Sequence, residues 1–167
     1  MWGEFSWPKF VELAPLYLST TATFVIVFLT WFQIKKSALE SKNRETYKFV
    51  EKMTQSKEYY DKRMVFSKLK RSGKDLSIYG RPENFHKKES EAIIAVINWW
   101  ELVGINLKHD GFNEAYIADF FHPTLLDDWK YLKPVIEQLC KHMKDNRIGE
   151  NVRWLYEEWS NTKFLEK

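Results

Sequence analysis

From Leu13 to Ile34 the chain runs for 22 residues, LAPLYLSTTATFVIVFLTWFQI, without one charged side chain. At ~1.5 Å per helical residue such a run measures roughly 33 Å, enough to cross a ~30 Å hydrocarbon core. A cleaved signal peptide needs a basic start, an apolar run of about 7 to 15 residues and a small-residue cleavage site. Here the chain starts Met-Trp-Gly-Glu, and the run is left through Trp31, Phe32 and Lys35, as in a retained anchor. Trp2, Phe5, Trp7 and Phe10 before it and Trp31 and Phe32 after it supply the aromatic belts of the two interfaces. Lys35, Lys36, Lys42, Arg44 and Lys48 follow the span while Lys9 alone precedes it, so the positive-inside bias predicts a single-pass protein with its N-terminus outside and its C-terminal part in the cytoplasm.

The polar groups of the span are not scattered. Glu12, Ser19, Thr23, Thr30 and Gln33, with Leu16 and Ile26 between them, recur at alternating intervals of four and three, which places them within a ~100° arc of a helix. That seam suits helix packing against further copies of the span, with the lipid bilayer around it. Thr20 and Thr21 lie off the seam and are expected to bond carbonyls one turn back.

Charge divides the remainder. Residues 35 to 88 hold 16 basic and 7 acidic side chains, and residues 89 to 167 hold 9 and 14. The chain has only 6 Gly and 5 Pro, too few for the many turns of a sandwich or barrel, and no long period-two alternation. The expected fold is all-α: an anchor over 1–36, one long juxtamembrane helix over 37–71, and a cytoplasmic helical domain over 72–167. In the long helix Val50, Met53, Tyr60 and Met64 form a thin apolar stripe. Ser72 to Asn84 reads as a loop, Ser90 to Lys108 as the central buried helix, and Asn113 as the cap of a short helix ended by Pro123. A fourth helix follows, broken or kinked at Pro134, and VRWLYEEWSNTKF closes as an amphipathic one.

Catalytic chemistry is sparse. The lone Cys140 and His142 are ~200° apart on a helix, the four histidines lack metal-ligand spacing, Asp127 and Asp128 do not share a face, and there is no glycine-rich phosphate loop. An enzyme, a metal and a cofactor are therefore not expected. Two constellations remain. Lys68, Lys70, Arg71, Lys74, Tyr79, Arg81, His86, Lys87 and Lys88 combine phosphate-binding charge with an aromatic ring, as an anionic nucleotide would need. A solvated or lipid-facing basic surface is the plainer alternative. Asn98 and Glu101, one turn apart among apolar neighbours, are expected to be partly buried, either in a structural network such as a helix terminus or against a ligand.

The stretches at 44–69, 97–121 and 125–139, above all Asn98 to Glu101 and the Trp129 to Pro134 spacing, resemble a bacterial family of small membrane-anchored helical proteins of unknown function. The layout is also similar to the membrane-bound accessory effectors of type III CRISPR systems. That likeness implies cyclic tetra-adenylate as ligand, a homotetramer and abortive antiviral defence as role; the expected location is the inner membrane, and duplex nucleic acid is not expected as a partner. The alternative is a membrane-tethered helical module that recruits a cytoplasmic protein and takes no nucleotide.

Overall fold

The computed structural model describes residues 7–161, with side chains for Pro15 and from Tyr17 onward. Trp2 and Phe5, and the side chains of Trp7, Phe10, Glu12 and Leu16, lie outside the described residues, as do Thr162 to Phe164 at the end of the expected last helix. The described chain is all-α: α1 (Trp7–Gln55), α2 (Lys57–Arg71), α3 (Lys88–Lys108), α4 (Glu114–Met143) and α5 (Glu150–Ser160), with 3-10 turns at Leu76–Gly80 and Pro82–Asn84. Two compact units divide the chain, Met1–Ser41 and Lys42–Lys167.

In the first unit every described side chain is exposed, including Phe24, Ile26, Phe28 and Phe32. A bare apolar surface of this extent is not stable in water, and it belongs to the one helix among the described residues that is long and apolar enough to cross a membrane. The seam threonines behave like those off the seam. Thr23 donates to the Ser19 carbonyl at 2.8 Å and Thr30 to that of Ile26 at 2.8 Å, as Thr21 does to Tyr17 at 2.9 Å. Their protons are satisfied within the helix, and only acceptor capacity is left to face another span.

The second unit packs α2 to α5 and the last turns of α1 around α3. Trp100, Ile93, Val96 and Val103 are fully covered, and Trp99 forms the centre of an aromatic cluster with Phe49, Tyr59, Trp100 and Phe121. The uninterrupted helix expected over 37–71 does not form. Ser56 takes extended backbone angles and accepts from the Tyr59 N–H, which ends α1 and caps α2. The break also rotates the apolar face, so Val50 is buried while Tyr60 and Met64 are exposed, and Phe66 is the residue of α2 that reaches the core. No boundary between compact units falls at 71/72, because α2 supplies part of that core.

Prolines prove weaker punctuation than expected. Asn113 does cap a helix, its side chain accepting from the Tyr116 N–H, but that helix continues through Pro123 and Pro134 to Met143. The apolar row Leu125, Trp129, Leu132, Val135, Ile136 and Leu139 is buried along it, and burial on that scale outweighs the ~3 kcal/mol that an interior proline costs.

Candidate functional site

The basic run is built on a packed base. Gly73, at φ +67°, turns the chain out of α2, and the 3-10 turn that follows lies flat on α4. A Cβ at Gly80 would come within 2.6 Å of the Val135 carbonyl, so only glycine permits the approach. Asn84 donates to the Ile78 carbonyl at 2.6 Å and Ser90 to that of Tyr79 at 3.0 Å, which ties the segment back to the start of α3. Asp75, bonded to the Ser77 hydroxyl and N–H, is held below the usual carboxylate range.

That base redistributes the expected site residues. Tyr79 is a core residue, 7% exposed, and presents no open face to a base. Lys70 is bonded to Asp127 at 2.7 Å and to Asp128 at 2.9 Å; burial alone would lower its pKa, but these two carboxylates outweigh it and hold the ammonium above its ordinary range. Arg71, Lys74, Arg81, His86, Lys87 and Lys88 remain exposed, and among the described residues none of them has an ion-pair partner within hydrogen-bonding reach. They follow the end of α2, the turns and the start of α3, so backbone order fixes their anchor points while the charged tips stay in water.

The carboxylates that hold Lys70 form a feature invisible in the spacing of Asp127 and Asp128. Asp128 is fully buried and accepts from both terminal nitrogens of Arg63, from Lys70 and, at 3.0 Å, from the Trp100 indole. A carboxylate without water needs partners of this number and charge. Asp127 lies at the mouth, where its bond to Lys70 holds its carboxyl below the usual range. Tyr59 borders the same cluster, and its phenol is pushed well above the usual range, chiefly by burial. The signal for this network was the seven-residue interval from Arg63 to Lys70, two helical turns that put both cations on one face of α2.

Residues 20–159 match the family described as a domain of unknown function, DUF4760. The chain belongs to that family. Neither a curated protein nor a solved structure matches it. The family region runs from within the apolar helix through α5, so it takes in the basic turns, the Asp128 network and the remaining constellation, Asn98 and Glu101.

Those last two part company. Glu101 accepts from the Asn151 and Val152 N–H groups at 3.0 and 3.1 Å and from the Asn151 amide at 2.7 Å, so it caps the start of α5 across the core. Asn98 is exposed, contrary to the expected burial, because one turn of α3 is enough to carry a side chain from the α5 contact to the surface. It stands at the edge of a cleft of about 380 Å³ lined by Phe85, Ile94, Ile97, Leu139, Met143 and Ile148. Exposed basic residues neighbour that cleft in sequence on both sides: His86 and Lys87 follow Phe85, and His142 and Lys144 flank Met143.

Proposed function

We propose that this chain is a single-pass receptor of the inner membrane whose cytoplasmic helical unit binds an anionic nucleotide, with a cyclic oligoadenylate as the first candidate, and perturbs the bilayer through its span in antiviral defence. The observation that carries the binding half is the row of exposed cations Arg71, Lys74, Arg81, His86, Lys87 and Lys88, which among the described residues make no ion pair within hydrogen-bonding reach and which follow the end of α2, the packed turns and the start of α3. With Tyr79 in the core, a stacking surface has to come from elsewhere, and Phe85 in the apolar cleft is the nearest aromatic ring in sequence. Lys70 drops out of the ligand set because its charge is used by Asp127 and Asp128.

The test is calorimetric titration of cyclic tetra-adenylate, its linear counterpart and inorganic phosphate into the full chain in detergent, at two salt concentrations. The expected result is binding of the cyclic ligand that weakens steeply with salt and is lost in R71E/R81E/K87E with helicity unchanged. The second reading, a tethered module that recruits a protein, draws on the loss of Tyr79 and Lys70 from the site and on the apolar cleft. Absence of heat with every nucleotide selects it.

A further inference from the structure

The mouth of the Asp128 network opens into a pocket of about 360 Å³ lined by Ser67, Lys70, Arg71, Asp127 and Tyr131. On α2, Ser67 is followed three and four residues later by Lys70 and Arg71, and on α4 Asp127 and Tyr131 are four apart, so each helix presents its polar groups from one face. One turn further along α4 stands Val135, against which the Gly80 turn is packed, so the pocket adjoins the base of the basic run. Its polar groups are unequally occupied. Lys70, 16% exposed, is held by Asp127 Oδ2 at 2.7 Å and by Asp128 at 2.9 Å. Asp127 Oδ1 has, among the described residues, only the exposed Lys130 beside it, at 3.7 Å and so beyond hydrogen-bonding distance. The Ser67 and Tyr131 hydroxyls and the Arg71 guanidinium make no hydrogen bond with another described residue.

The pocket therefore offers open donors and one open acceptor together, and that combination discriminates between ligands. Inorganic phosphate would use Arg71 and the two hydroxyls but would stand beside an ionised carboxylate, since the bond to Lys70 holds Asp127 below the usual range. A neutral sugar would bond Asp127 and leave the guanidinium unpaired. A phosphate ester with a hydroxyl on the neighbouring carbon uses both sets. We infer that the pocket seats one sugar–phosphate unit of a ribonucleotide, its phosphate on Arg71, Ser67 and Tyr131 and its 2′-hydroxyl donating to Asp127 Oδ1. Lys70 is a positioning residue, which holds the other oxygen of that carboxylate. Deoxyribose lacks the donor, so Asp127 makes the site selective for ribose. The inference rests on the nucleotide reading above and adds to it the sugar class and the acceptor that reads it.

The experiment titrates the full chain in detergent with cyclic tetra-adenylate and with its 2′-deoxy and 2′-fluoro counterparts. The ribose ligand is expected to bind about tenfold more tightly than either, because the first counterpart lacks the group and the fluorine of the second accepts but does not donate. Asp127→Ala should reduce that preference to less than about twofold, whereas Tyr131→Phe weakens all three ligands alike and keeps it. The ratio separates a contact from a merely structural role, which would move all three affinities together. Equal binding of the three by the wild-type chain, 2′-fluoro binding equal to that of the ribose ligand, or a preference that survives Asp127→Ala overturns the proposal and leaves nucleotide binding in place. The wild-type comparison decides by itself where Asp127→Ala does not fold. Inositol trisphosphate, which also sets hydroxyls beside phosphates, is the lipid-headgroup control, and tighter binding of it than of the ribose ligand overturns the assignment to a ribonucleotide. A wild-type chain that binds none of these ligands overturns the nucleotide reading itself, and the proposal with it.

Discussion

Trp99 and Trp100 are adjacent on α3 and buried to 5% and 0% exposure, yet their indole nitrogens have opposite fates. Trp100 donates to Asp128, while the Trp99 N–H is buried among aromatic rings without a partner among the described residues. Replacing Trp100 by Phe removes a bond to a buried carboxylate and is expected to cost about 1–3 kcal/mol in denaturant unfolding. Trp99→Phe gives up ring area but also releases an unsatisfied donor, so its cost should be the smaller by roughly 1 kcal/mol. Equal losses would mean that ring volume alone governs both positions. The Asp127 to Lys70 bond carries a pH signature. A carboxyl whose folded pKa is depressed contributes stability above its unfolded value of about 3.9, and that contribution is lost as pH falls through the folded one. Asp127→Asn should therefore flatten the decline of stability below about pH 4 and, because Asp127 also helps to hold Lys70 above its ordinary value, soften the decline on the alkaline side as well. An unchanged acid limb would remove Asp127 from the account.

Elements are held here by packing more than by local preference. Pro123 lies on the exposed side of α4, ten residues into the helix, where it can only cost backbone hydrogen bonding. Pro123→Ala is expected to raise the unfolding free energy by roughly 1–3 kcal/mol, and a neutral or destabilising result would show that a bend at 123 is needed for α4 to reach its partners. The opposite case is Gly104, in the middle of α3. A Cβ there would stand 2.8 Å from the Asn151 carbonyl, in the contact where Glu101 caps α5. Although alanine is the better helix former, Gly104→Ala should destabilise by roughly 1–3 kcal/mol and lower the helicity of α5, measured by thermal melting and by amide exchange of residues 150–160. Both substitutions go from a helix breaker to alanine, and their predicted signs differ because one site is open and the other is filled.

For the molecule as a whole, the compact unit that starts at Lys42 is the one to isolate. The Asn113 backbone N–H donates to the Thr46 hydroxyl at 2.8 Å, and Val50 lies in the core, so the last turns of α1 belong to the second unit. A fragment from residue 42 onward should be a folded, cooperatively melting helical protein. One starting at 57 should melt lower, and one starting at 72 should not fold, because Asp128 would keep its burial and lose Arg63 and Lys70. Cooperative folding of the shortest fragment would refute the assigned role of α2. The membrane-length run, the all-α class, the central helix at 90–108 and the Asn113 cap were all legible in the amino-acid order, since each depends on hydropathy or on a side chain acting within a few residues. The break at Ser56 was a local signal too, but serine also occurs inside helices, and only packing of α2 on α3 selects the capped form. Continuity of α4 through two prolines, burial of Tyr79 and withdrawal of Lys70 from the basic surface depended on partners at positions 57 and 58 residues away and on the helix that lies beneath the turn. Residue order along one chain specifies which side chains carry charge or apolar area, but which of them meet water is settled only when distant helices take up their neighbours.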